Sequence, residues 1–202
     1  MGIVLTIVVV VLVLAGIAAY LVRRNRGAGM PWGQDDSKRM RRAYGREYDR
    51  LYSAYGDDTA VEQEIGRRER ARRELEITEI APQARDRLEA GWVNAQAAFV
   101  DDPGGSARRA EQLIGEALAV RGYPAGEPEE QLALASVDHS SALAEFRDGH
   151  ELLQRSQTGA PDVDATEQLR QAMLHFRVFF EDLVGVSTKA SIPLDQQERV
   201  HA

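Results

Sequence analysis

Residues 166–183 read TEQLRQAMLHFRVFFEDL. Apolar side chains recur in this stretch at spacings of three and four, at Leu169, Met173, Phe176, Phe180 and Leu183. Positions with this spacing lie on one face of an α-helix, and the charged residues between them lie on the other face. Asp164 or Thr166 is suited to cap the first turn. The stretch therefore predicts an amphipathic helix that buries one face in a helical core.

The same helical period continues upstream of this stretch. It predicts helices over residues 37–55, from 59 towards Pro82, from Pro82 to about 100, from 106 to 121, over 127–135 and after Asp138. The segments DDPGG at 101–105 and RGYP at 121–124 are typical of helix ends and turns. No segment alternates between apolar and polar residues as a half-buried strand does. We therefore expect an all-α fold with one helical-bundle domain of about five to six helices.

The N-terminal residues 3–22 form an apolar run without a charged side chain. A helix of this length crosses about 30 Å, the thickness of the hydrocarbon core of a bilayer. A cleaved secretory signal is the alternative, but it needs a basic start and a shorter apolar run. Arg23, Arg24 and Arg26 follow the run directly, which places the C-terminal side in the cytoplasm. The composition, rich in Arg, Ala, Gly and Val, favours a bacterial source. We thus expect a single-pass protein of a bacterial cell membrane.

The predicted organisation has five parts along the chain. They are a transmembrane anchor at 1–22, a basic and flexible juxtamembrane linker at 23–36, a basic Tyr-faced helix at 37–56, a soluble helical domain at 57–185 and a C-terminal tail at 186–202. Three glycines and a proline at 27–36 indicate the linker.

Charge is distributed unevenly along the chain. Residues 23–56 contain nine basic and four acidic side chains, a net charge of about +5, whereas residues 57–202 contain sixteen basic and twenty-eight acidic ones, about −12. Basic residues beside a bilayer are attracted to anionic lipid. The candidate lipid-contact residues are Arg39, Arg42, Arg46, Arg50, Tyr48 and Tyr52. The alternative is that the Tyr face packs this helix on the domain. The acidic remainder of the chain argues against binding to nucleic acid.

The sequence predicts no catalytic, cofactor-binding or metal-binding residue. It has no cysteine, and no two of its histidines have the i,i+4 spacing of a helical zinc site. Gly104 and Gly105 lack the Lys and Ser or Thr that a phosphate-binding loop requires. Asp101 and Asp102, ahead of a proline, are more typical of a helix cap than of paired catalytic carboxylates.

Several motifs show a resemblance to known sequences. They are Trp92-x3-Gln96-x2-FVDDP ending at Pro103, RGYP at 121–124, SVDH at 136–139 and TEQLRQAM at 166–173. Together they resemble an uncharacterised family of bacterial proteins with an N-terminal membrane anchor and a helical domain. The resemblance covers about residues 65–184. It implies a shared helical domain, and it implies no activity, cofactor or catalytic residue.

Two functional hypotheses follow from these features. The first is a non-enzymatic interaction or scaffold protein, held at the inner face of a bacterial membrane, that binds a protein partner. The second is a helical enzyme or small-ligand sensor whose pocket is assembled between helices from Asp138, His139, His150 and His175. The spacing of these residues along the chain does not show whether they meet in space.

Overall fold

The chain is described by a computed structural model covering residues 34–158 and 163–185. These residues form seven α-helices and no β-strand, which confirms the all-α prediction. The helices are α1 (Gln34–Tyr44), α2 (Arg46–Tyr55), α3 (Asp58–Arg73), α4 (Pro82–Ala98), α5 (Pro103–Arg121), α6 (Pro128–Thr158) and α7 (Val163–Val184).

The predicted anchor at 1–22 and the tail at 186–202 lie outside the described residues, as does most of the linker. In the part of the chain that is described, every helix is too short or too polar to cross a bilayer.

The single helix predicted over residues 37–55 is wrong, because two helices occupy this segment. Gly45 separates α1 from α2 with φ 51° and ψ −125°. A positive φ of this kind strains any residue with a Cβ atom, whereas glycine adopts it readily. The chain can therefore turn at Gly45 while the apolar period continues on both sides of the turn.

Helices α4 to α7 surround the larger of two apolar cores. All five apolar residues of the predicted α7 face are buried there, which confirms that face. Trp92 of α4 stacks on Phe180 of α7, with ring centroids 4.6 Å apart. Gly149 lets α6 approach α7 closely, since a Cβ atom there would lie 2.9 Å from the Phe176 ring.

A smaller apolar core holds the first three helices together. Its buried residues are Met40, Tyr44, Tyr48, Leu51, Val61 and Ile65. Helix α3 begins beyond Asp57, whose side chain accepts a hydrogen bond from the Ala60 amide at 2.8 Å. The helix that the sequence predicted from residue 59 therefore begins at Asp58, with Asp57 as its cap. All three helices also contact α6, which is the central element of the fold.

Helix α6 is kinked at His139, where φ is −129° and ψ is 30°. The short helix predicted at 127–135 and the helix predicted after Asp138 are the two arms of this kinked element. Asp138 lies inside this kinked helix and does not cap either arm. Its carboxylate instead accepts hydrogen bonds from Tyr123 Oη at 2.6 Å and from Arg72 Nε. This places the kink beside a polar contact with α3.

The ends of α5 follow the turn signals in the sequence. Asp102 caps its start by accepting a hydrogen bond from the Gly105 amide at 2.8 Å, so the capping interpretation of the carboxylate pair is confirmed for Asp102. Gly122 ends the helix with φ 103°, and a Cβ atom there would lie 2.5 Å from the carbonyl oxygen of Glu76. The start is therefore fixed by a residue three positions away, whereas the end requires glycine both for its φ and for the close approach of Glu76.

Candidate functional site

The two tyrosines proposed as lipid contacts lie in different environments. Tyr48 is fully buried, and its hydroxyl donates a hydrogen bond to Asp58 at 2.8 Å. Burial and this hydrogen bond raise the pKa of Tyr48 to about 12. Tyr52 is 41% exposed, with the Arg41 guanidinium 5.7 Å from its ring centroid. In this structure Tyr48 packs inside the protein, as the alternative interpretation of the Tyr face expected.

The four arginines proposed as lipid contacts are also not equivalent. Arg39 and Arg42 are exposed and form no ion pair within residues 34–158 and 163–185. Arg46 binds Glu145 at 3.1 Å and Asp148 at 2.6 Å, and Arg50 binds Glu47 at 3.2 Å. Arg39 and Arg42 therefore present charge to solvent that no side chain of the described residues neutralises.

Glu47 of α2 is the centre of a buried ion cluster. Its carboxylate accepts hydrogen bonds from Arg68 Nη1 at 2.9 Å, Arg147 Nε at 3.1 Å and Arg50 Nε at 3.2 Å. Burial alone would raise the pKa of this carboxyl. The hydrogen bond from Arg50 and the charges of Arg147 and Arg50 outweigh burial and lower that pKa below its ordinary value. Glu47 is therefore held in its ionised form inside the protein.

Arg68 extends this cluster from α3 to α6. It binds Glu64 through Nε at 2.7 Å, and through Nη1 it also donates to Ser136 Oγ at 3.1 Å. Hydrogen bonds from Arg67 and Arg68 lower the pKa of Glu64 to about 2, although burial acts in the opposite direction. The cluster thus connects α2, α3 and α6 in the seam between the two apolar cores.

The histidines singled out in the sequence do not form one pocket in the described structure. His139 Nδ1 pairs with Asp182 at 2.5 Å, His175 Nδ1 pairs with Glu145 at 2.8 Å, and His150 Nδ1 pairs with Glu111. Each therefore has a different carboxylate partner. The fourth histidine, His201, lies outside the described residues.

Within the described residues, one group of side chains has the geometry to hold a metal ion. One ligand atom from each of Glu145, Asp148 and His175 lies within 4.8 Å of the others. Arg46 binds both of these carboxylates. The guanidinium already supplies the positive charge that a metal ion would bring, so the arrangement acts as an ion-pair network that holds the start of α2 against α6. Sequence reasoning missed this network because its partners are about 100 residues apart.

A groove of about 560 Å³ lies between α5 and α6, beside the ion cluster. Its apolar wall comes from Ile114 and Leu118 of α5 and from Leu132 and Phe146 of α6. The two α6 residues lie on opposite sides of the kink at His139. Ligand sites typically occupy about 300–1,000 Å³ and combine apolar walls with a few polar groups. The groove falls within that range.

Polar side chains line the groove beside this wall. Arg50 and Arg147 come from the ion cluster, and burial lowers the pKa of the Arg147 guanidinium. The buried Nη2 of Arg147 has no hydrogen-bond partner among the described residues. The His150 ring stacks on Phe146 with centroids 6.1 Å apart, and its Nε2 is 2.6 Å from Gln154 Nε2. Of the histidines in the described residues, His150 alone lines the groove.

Gly115 of α5 also lines the groove. A Cβ atom at this position would meet nothing within 4 Å. Glycine inside a helix costs about 1 kcal/mol relative to alanine. By contrast, Gly91 and Gly149 in other helices face side chains closer than 3 Å. Gly115 therefore keeps space in the groove open without a packing requirement, a feature that the sequence alone gives no means to recognise.

Comparison of the chain with protein-family models, curated proteins and solved structures finds no match.

Proposed function

We propose that this chain is a non-enzymatic helical interaction protein, tethered by its N-terminal residues to the inner face of a bacterial membrane. One observation supports the proposal. The helices that follow the predicted anchor and linker are built into the bundle, because α2 carries Glu47 into the buried ion cluster. The tether would then hold the whole bundle, and not the first helices alone, at the membrane, where the surface of the bundle can meet a partner.

The proposal also assigns a lipid contact to α1. Arg39 and Arg42 are exposed there without an ion pair in the described residues, and the apolar face of α1 is already buried through Met40 and Tyr44. Each basic residue near an anionic membrane surface contributes about 1 kcal/mol of attraction. In this proposal the arginines contact headgroups, whereas Tyr48 remains inside the protein.

The tether and its orientation can be tested with reporters fused after Ala202. We expect a C-terminal fluorescent protein to be bright and a C-terminal alkaline phosphatase to be inactive, because Arg23, Arg24 and Arg26 favour the cytoplasmic side. Replacing these three arginines with Gln should give a mixed orientation with measurable phosphatase activity. The matched control replaces Arg108, Arg155 and Arg177, which removes the same charge far from the anchor and should leave the orientation unchanged. Phosphatase activity in the native fusion would contradict the proposal.

The lipid contact can be tested by hydrogen exchange on the full chain in lipid nanodiscs. Amides of residues 38–44 should exchange more slowly in discs with anionic lipid than in zwitterionic discs. The difference should vanish at high salt, because at 1 M the screening length falls to about 3 Å. Replacing Arg39 and Arg42 with Gln should also abolish it, whereas replacing Arg67 and Arg170, which form ion pairs within the protein, should not. Equal exchange in the two kinds of disc would refute the lipid contact.

A second candidate function is a small-ligand sensor, and the groove between α5 and α6 favours it. Of the four residues in the sequence-based version of this hypothesis, His150 lines the groove, whereas Asp138, His139 and His175 do not. The candidate therefore has a different site from the one that the sequence suggested. Arg50 and Arg147 belong both to the groove and to the ion cluster, so an occupant would contact the residues that connect α2 to α6.

A further inference from the structure

We propose that the groove between α5 and α6 binds a small amphiphile that has an unbranched apolar body and a single carboxylate. This inference rests on the second candidate function, the ligand sensor, and names the class of its ligand. It is independent of the membrane tether. The proposal is carried by the apolar wall, by the two arginines and by Gly115.

The apolar body of the ligand is matched by the wall of the groove. Ile114, Leu118, Leu132 and Phe146 belong to the larger apolar core, and they also line the groove. An alkyl chain lying against them would remove its own surface and theirs from water, which is the main source of affinity in apolar sites. The wall therefore favours a hydrocarbon chain over a sugar or a nucleotide.

The carboxylate of the ligand is matched by the arginines. Arg50 and Arg147 share Glu47, whereas Arg68, which also binds Glu47, has a second carboxylate partner in Glu64. Two guanidinium groups beside the groove are thus balanced mainly by one carboxylate. Glu129 is a weak further partner, since it lies 3.7 Å from Arg147 Nη1 and is 80% exposed. Arg50 has no carboxylate partner besides Glu47 in the described residues, and its side chain is 41% exposed, so its guanidinium is the cation that a ligand carboxylate would meet.

The other acidic groups of the lining are paired with other side chains. Glu111 binds His150, and Glu151 lies 3.9 Å from Arg155. Arg147 Nη2 has no hydrogen-bond partner among the described residues, but it is closed off from solvent, so a ligand carboxylate would reach Arg50 and not this atom.

Gly115 leaves open space on the α5 side of the groove. A Cβ atom at this position has no neighbour within 4 Å, so a side chain can start from Gly115 into the groove without a clash with the protein. A leucine at this position should therefore block the ligand while leaving the helix intact. This substitution separates loss of the site from loss of the fold.

The test is calorimetric titration of octanoate into the full chain in zwitterionic nanodiscs, with empty discs subtracted. We expect saturable one-to-one binding to the native chain. Gly115→Leu should weaken it at least tenfold without lowering the melting temperature. Arg50→Gln should weaken octanoate binding about tenfold, the effect of one charge-assisted hydrogen bond, and leave octanol binding unchanged.

The other outcomes overturn the proposal at different points. No octanoate binding to the native chain, or equal binding to the native chain and Gly115→Leu, would refute the groove as its site. Binding of octanol with the same affinity as octanoate would refute the carboxylate and leave a sensor of neutral apolar ligands. None of these outcomes affects the reporter test of the membrane tether, so failure of this proposal is distinguishable from failure of the tethered interaction protein.

Discussion

Replacing Glu47 with Gln should lower the free energy of unfolding by about 3–5 kcal/mol. The substitution keeps the shape of the side chain but removes the one charge shared by Arg50, Arg68 and Arg147. The buried Arg68 would keep Glu64 as its only carboxylate partner, and the partly buried Arg147 would lose its closest one. Breaking a buried ion pair from one side is costly, because the remaining charge has been taken out of water without a partner. Chemical denaturation followed by circular dichroism measures the change.

The matched control is Glu116→Gln. Glu116 also binds an arginine, Arg109, at 2.7 Å, but both side chains are about half exposed. Exposed ion pairs contribute little to stability, so the control should change the free energy of unfolding by no more than about 0.5 kcal/mol. Equal effects of the two substitutions would show that the cluster around Glu47 is not a significant source of stability.

The pH dependence of stability gives a second readout of the same cluster. The folded protein lowers the pKa of Glu47 below its ordinary value of 4.5. The stability that Glu47 contributes is therefore present above pH 4.5 and is lost as the pH falls through the lowered pKa. Glu47→Gln should reduce the acid-induced loss of stability without abolishing it, because Glu64, with a pKa of about 2, contributes in the same direction.

Phe176→Ala is the second substitution with a large expected effect, a loss of about 3–5 kcal/mol in the free energy of unfolding. Phe176 is fully buried in α7, with its ring centroid 5.4 Å from that of Phe146, and it lies over Gly149. Removing the ring leaves a cavity where α6 and α7 approach closely. The surrounding side chains fill such a cavity only in part, so their contacts are lost as well. Thermal and chemical unfolding measure the loss.

Leu174→Ala is the control on the same helix. Leu174 lies two residues before Phe176 and is 48% exposed. Its replacement removes little buried surface and should cost no more than about 0.5 kcal/mol. A similar loss in both variants would mean that the close packing of α6 against α7 does not dominate the stability of the larger core.

The Phe176 substitution also bears on the groove. Phe146 lines the groove and contacts Phe176 on its other side. Loss of Phe176 removes support behind part of the apolar wall. The wall of the groove is thus the outer surface of the core, and its shape depends on residues that no ligand would touch.

Local patterns in the sequence were sufficient for the helix faces and several helix ends. The α7 face, the Asp102 cap and the stop at Gly122 each depend on residues within a few positions of one another. The same local patterns failed at Gly45, because the apolar spacing continues across the turn and hides it. They also failed at Asp138, where a residue suited to cap a helix instead accepts a hydrogen bond from Tyr123.

The sequence by itself determined that the described part of this protein is all-α, and which face of α7 is buried, because helical periodicity and capping act over one or two turns. The tertiary structure alone decided the candidate sites. Glu47, Arg68 and Arg147 meet across separations of 21 and 100 residues, and the groove combines Arg50 with both arms of a kinked helix. These contacts depend on how the helices pack against one another, and the spacing of residues along the chain does not show that packing.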